Sequence, residues 1–116
     1  MKAASQERNI ADTIIKQIQT ADRFAMGAWG TRELVSLDET PERLGGLMFR
    51  VSGSKLRGKV RVELSHQDTY TVTSYRFRNH SAHLVSEATG VYCDQLMSIV
   101  DGMVEKGRHS AAIKNL

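Results

Sequence analysis

Two hydrophobic periods share this chain, and their order constrains its fold more than any single motif. Leu47, Phe49 and Val51 alternate with Met48 and Arg50, and Val60, Val62 and Leu64 alternate with Lys59, Arg61 and Glu63. A two-residue period sends successive side chains to opposite faces of an extended segment, so both stretches predict strands with one apolar and one polar face. On either side of this block the period becomes helical. Ile10, Ile14, Ile18, Ala21 and Ala25 recur at three- and four-residue steps, with Ile15 and Phe24 widening the stripe. Asn9 is the expected N-cap of that helix and Gly27 its expected stop. Near the other end Tyr92, Leu96, Ile99, Val100 and Met103 form a second stripe, with Thr89 as the expected cap and Gly107 as the end.

The segments between these landmarks complete the pattern. Met26-Gly-Ala-Trp-Gly30 is a small-residue turn around one large aromatic. Thr31 to Leu37 reads as a short strand, and Asp38 to Arg43 as a polar loop holding the only proline, Pro41. Ser52-Gly-Ser-Lys55 and Ser65-His-Gln-Asp68 are turn-sized, Asp68 being expected to cap the second through its side chain. Thr69 to Phe77 is rich in Thr, Tyr and Val and predicts a strand. Its apolar register drifts, with Tyr70 and Val72 on one face and Tyr75 and Phe77 on the other. A bulge near Ser74, or a strand running past the sheet, would explain the drift. Leu84 and Val85 suggest one more short strand.

The predicted fold class is therefore α+β. An N-terminal helix precedes an antiparallel sheet of four or five strands and a C-terminal helix follows, with both helices on the apolar face of the sheet in two layers. The length of 116 residues suits one domain spanning 1–116, with an ordered core of about 8–107 and a loose tail over 108–116. With 41% hydrophobic and 25% charged residues the composition is that of an ordinary globular chain. A single cysteine, Cys93, excludes an internal disulfide. The polar start and the lack of a long apolar run point to a cytosolic setting rather than a membrane.

Charge is unevenly spread, although the net value is only +3. Between Gly46 and His80 lie Arg50, Lys55, Arg57, Lys59, Arg61, Arg76 and Arg78, opposed only by Glu63 and Asp68. Alternation puts Arg50, Lys59 and Arg61 opposite the apolar positions of their strands, with Lys55 and Arg57 at one end. These cations form a candidate contact surface, of which Arg50, Lys59, Arg61 and Arg76 are the leading members. Such a surface suits an acidic protein patch or nucleic-acid phosphates, or is simply a solvated sheet face that discourages edge pairing. Tyr75 and Phe77 are the only aromatic candidates for stacking on bases.

Other constellations carry less. His80 and His83 have a metal-like separation but no third and fourth ligand at credible spacing, so no metal and no cofactor is expected. Cys93 lacks a partner base for nucleophilic chemistry and reads as a half-buried filler near a helix start. Asp94 and Asp101 read as polar-side helix residues. Trp29 reads first as a core anchor, with an exposed binding hot spot as the alternative. With no convergent acid, base, nucleophile or phosphate cradle, the chain reads as a non-enzymatic binding protein.

Three short stretches carry a resemblance. Gly45-Gly-Leu-Met-Phe49, Asp68-Thr-Tyr-Thr-Val72 and Val91-Tyr-Cys-Asp-Gln-Leu96, following the helical Ile15-Lys-Gln-Ile18, occur in an order that resembles a group of small uncharacterised proteins of tailed phages and prophages. The likeness spans roughly residues 10–106 and departs from the group at Met26–Gly30 and at the segment containing Pro41. It implies an accessory phage or prophage product and leaves the activity open. The leading expectation is a protein that occupies a macromolecular surface, with a host or phage protein, including one of a host defence or regulatory system, as the partner. Nucleic acid is the alternative partner, a small ligand or nucleotide a weaker one, and a homodimer through sheet edges or the last helix stays open.

Overall fold

The computed structural model describes residues 2–105, so the expected stop at Gly107 and the tail lie outside the described residues. The first helix, α1, runs from Lys2 to Ala21. Its Ile14 and Ile18 are fully buried and Ala11 nearly so. Burying side chains of this size contributes about 2 kcal/mol each. Asn9 lies inside α1 rather than capping it, because the helix starts earlier. The helix ends at Ala21, before Gly27, and a single turn, α2 (Ala25–Ala28), follows after a break. Asp22 Oδ1 accepts the Phe24 N–H at that break, an alternative to continuing the helix.

Five strands follow in chain order, β1 (Arg32–Leu37), β2 (Gly45–Ser52), β3 (Arg57–Leu64), β4 (Tyr70–Arg78) and β5 (Ser81–Val91), and the last helix, α3, spans Leu96–Val104. Each strand pairs antiparallel with the next, giving a meander in the order β1-β2-β3-β4-β5. The α+β prediction holds: helices precede and follow a five-stranded antiparallel sheet. Leu47, Phe49 and Val51 of β2, Val60 and Val62 of β3, and Tyr70 and Val72 of β4 meet Ile14 and Ile18 of α1 and Leu96 and Val100 of α3 in one core.

Trp29 is the centre of this core. It is fully buried, its ring stacks on Phe49 with centroids 6.3 Å apart, and its Nε1–H donates to Asp101 Oδ1 at 2.8 Å. The anchor reading is therefore correct and the exposed hot spot is not. Asp101 in turn is buried, not on the solvent side of α3, because it is the acceptor that a buried indole N–H requires.

The β2–β3 turn closes on the end of α3. Lys55 N–H and Leu56 N–H both donate to Val104 O, Lys55 Nζ donates to Gly102 O at 2.9 Å, and Glu105 Oε2 accepts from Ser54 N–H and Oγ. The last carbonyls of a helix have no partner within it and carry its negative pole, so amide and ammonium donors are favoured there. Gly53 permits the approach, since a Cβ at that position would collide with Val104.

The β3–β4 hairpin differs from expectation in its cap. Ser65 Oγ accepts from Gln67 and Thr69 N–H, while Asp68 instead supplies the left-handed residue, at φ 64°. The β4–β5 turn has two residues, Asn79 and His80, both left-handed at φ 51° and 67°, the geometry that matches the twist of the flanking strands. The short strand expected at Leu84 and Val85 is part of a longer one, β5, of 11 residues. Helical structure starts only at Leu96, so Thr89 caps nothing and Tyr92 is exposed in the connecting turn.

Candidate functional site

Both helices pack on one side of the sheet, and the other side stays open. Strand register determines what lies there. One cross-strand row runs Arg32–Arg50–Lys59–Tyr75–Leu84, and the next runs Val35–Met48–Arg61–Thr73–Glu87. Three cations thus stand side by side on β1, β2 and β3, with neighbouring strands only about 4.8 Å apart. Like charges directly opposite one another destabilise a sheet, by a few tenths to about 1 kcal/mol per pair.

Acids relieve this only in part. Glu33 Oε2 lies 3.3 Å from Arg50 Nη1, but both side chains are about half exposed, so water and salt weaken the pair. Glu33 itself takes a left-handed φ of 55° within the β1 irregularity. Glu63 pairs with Arg43 at 2.8 Å and approaches Arg61 Nε at 3.2 Å. The second approach is Coulombic only, since its angle is off the hydrogen-bond line and Arg61 Nε is buried without a hydrogen-bond partner. Arg32, Arg57 and Lys59 have no ion pair among the described residues.

Aromatic rings border these cations. The Arg61 guanidinium lies 5.2 Å from the centroid of Tyr75, and Lys59 Nζ lies 5.7 Å from that of Phe77. Each is a diagonal cross-strand contact, within the range of a cation over a ring face. Phe77 remains 40% exposed and Leu84 63% exposed, so this end of the face is apolar as well as basic. Arg50, Lys59, Phe77, Asn79 and His80 enclose an open notch of about 380 Å³.

Not all the expected cations join this face. Arg50, Lys59 and Arg61 share it, and alternation along β3 places Arg57 there too. Arg76 does not. It alternates with Tyr75 and Phe77, shares the side of Tyr70, Val72 and Ser74, and donates to Lys55 O at 3.3 Å. Arg78 has the same parity at the exposed end of β4. Lys55 is used as a helix cap on the opposite side of the sheet. The drift in β4 has a different cause from a bulge in that strand. β3 and β4 pair without a break from Gly58↔Arg76 to Leu64↔Tyr70, and the extra residues at both irregularities lie on β5. Tyr75 and Phe77 are simply outward-facing.

Arg32 and Asn79 are candidate-site residues that sequence reasoning missed, and His80, weighed there only as a metal ligand, lines the notch. Arg32 precedes the irregularity in β1, which hides its face from any alternation count. The turn residues reach the notch only because β4 and β5 pair to their ends.

A second cavity, of about 320 Å³, lies between α1 and the β5–α3 turn, lined in part by Gln17, Tyr70 and Cys93. Tyr70 donates its hydroxyl to Gln17 Oε1 at 2.7 Å. Burial pushes the Tyr70 phenol above its ordinary value, and the Gln17 amide, which can turn its NH₂ toward a phenolate, opposes the rise. Cys93 is exposed in the turn ahead of α3 rather than half-buried. Among the described residues, no three His, Cys, Asp or Glu side chains are grouped to hold a metal, and no helix is long and apolar enough to cross a membrane. Comparison of the chain with family models, curated proteins and solved structures finds no match.

Proposed function

We propose that this chain is a non-enzymatic binding protein that holds a macromolecular partner on the open face of its sheet. The observation that carries the reading is the row Arg32–Arg50–Lys59, adjacent like charges whose repulsion costs the sheet stability. An anionic partner converts that repulsion into attraction and steers the encounter. Exposed Phe77, Leu84 and Val35 on the same face add apolar area to such a contact. The order of short motifs supports a phage or prophage accessory role in the host cytoplasm, with a host or phage protein, including a defence or regulatory protein, or a nucleic acid as the partner.

The test is retention of partners from host lysate by immobilised protein. The Arg50→Glu/Lys59→Glu variant is expected to lose what the wild type retains, and Lys55→Glu, on the far side of the sheet, to keep it. Equal retention by all three would remove the open face from consideration.

A further inference from the structure

We infer that the ligand of the open face is a single-stranded nucleic acid, with the notch at the β4–β5 turn as a nucleotide subsite. This rests on the reading of the open face as the contact surface and names the chemistry of its partner. A charged row alone would suit any polyanion. The added feature is that Tyr75 and Phe77, two residues apart on β4, present rings on the same face and next to that row. Unpaired bases stack on such rings without regard to sequence, and cations beside the rings meet the phosphates that link them.

The notch places the parts of one nucleotide together. At about 380 Å³ it is of small-ligand size. Phe77 forms an apolar wall for a base, Arg50 and Lys59 stand where a phosphate would lie, and Asn79 and His80 bring amide and imidazole groups to the base edge. The Lys59 ammonium rests over the Phe77 ring, and its turning to a phosphate would uncover that ring for stacking. From the notch, the backbone follows the row through Lys59 and Arg50 toward Arg32, while Tyr75 with the Arg61 plane over it offers the next platform. The cations and rings lie on the sheet surface itself, where an unpaired strand can lie across them with its bases on the rings. An acidic protein would match the cations but would leave the paired rings and the notch unexplained.

Fluorescence anisotropy with labelled ten-nucleotide oligo-dT, oligo-rU and a ten-base-pair duplex, titrated across salt, tests the inference. The single strands are expected to bind more tightly than the duplex. Each phosphate contact contributes about −0.7 to the slope of log affinity on log salt. Lys59→Ala should therefore flatten the slope by about 0.7. Phe77→Ala should weaken binding about tenfold or more while leaving the slope unchanged. Lys55→Ala removes a charge from the other side of the sheet and, as the control, should leave the affinity within about twofold.

Three results would overturn the inference: no oligonucleotide binding at the lowest salt, duplex binding as tight as single-strand binding, or Phe77→Ala and Tyr75→Ala both without effect. If oligonucleotides fail to bind but Arg50→Glu/Lys59→Glu still abolishes retention of a lysate protein, the partner is an acidic protein and only this inference falls. If the charge reversal changes neither, the open-face reading falls with it. Circular dichroism of each variant separates loss of binding from loss of fold.

Discussion

Trp29→Phe should be among the most destabilising conservative substitutions in the chain, and the structure sets its size. Two things are lost. The phenyl ring has no donor, so Asp101, 1% exposed, loses the 2.8 Å hydrogen bond from the indole. Removing one partner of a buried bond to an acidic side chain costs about 2 kcal/mol. The smaller ring also leaves space beside Phe49 in a fully buried site, which adds about 1 kcal/mol. At about 2.1 cal/mol/K per residue, 116 residues unfold with an entropy of about 0.24 kcal/mol/K, so about 3 kcal/mol lowers Tm by about 12 °C. Thermal unfolding followed by circular dichroism measures this without relying on the lost tryptophan. A double-mutant cycle with Asp101→Leu isolates the bond, with an expected coupling of about 2 kcal/mol. A coupling below about 0.5 kcal/mol would show that the Trp29–Asp101 bond contributes nothing net and that packing alone explains the loss.

Three further outcomes follow from the packing of the molecule. Gly58→Ala should prevent normal folding, because a Cβ there would run into the Tyr75 carbonyl across the β3–β4 pair; soluble yield and the far-ultraviolet spectrum report it. Lys55→Ala should lower stability by about 0.5–1 kcal/mol in a urea melt, through loss of an exposed bond to Gly102 O at the end of α3. Spectrophotometric titration should show Tyr70 ionising above the ordinary tyrosine value of about 10. Because the folded chain holds that proton more tightly than the unfolded one, the contribution is complete below that value and is lost as pH rises through the folded value. Denaturant midpoints that stay level across this alkaline range in wild type, after allowance for a Tyr70→Phe control, would contradict the burial argument.

The open face also bears on how the sheet avoids associating through its edges. β5 is a long edge strand with exposed Leu84 and Val85, which by itself invites pairing with another chain. Its two irregularities each insert an extra residue, and the twist they add turns the edge away from a flat partner. Arg32, near the start of β1, puts a charge at the other edge. Both devices disfavour edge-on pairing of the sheet.

Local chemistry was enough for part of this molecule. The alternation in β2 and β3 is written in adjacent residues, because pleating alone sends Phe49 and Val60 one way and Arg50 and Lys59 the other. The stripes of α1 and α3 are equally local, and so the α+β class and the cationic character of β2 and β3 were readable from the chain. The tertiary structure decided what depends on partners far apart in sequence. β4 holds apolar residues on both faces, so its own sequence cannot say whether Tyr70 and Val72 or Tyr75 and Phe77 face the core. Pairing with β3, whose apolar face is unambiguous, turns the latter pair outward and takes Arg76 to the helix side. The same dependence hid Asp101, which is buried because Trp29, 72 residues earlier, needs an acceptor. It also hid Lys55, whose charge is drawn to a helix end that local sequence does not reveal. The basic face is therefore narrower than the run of cations suggests: Arg32 joins it, Lys55 and Arg76 leave it, and two rings complete it.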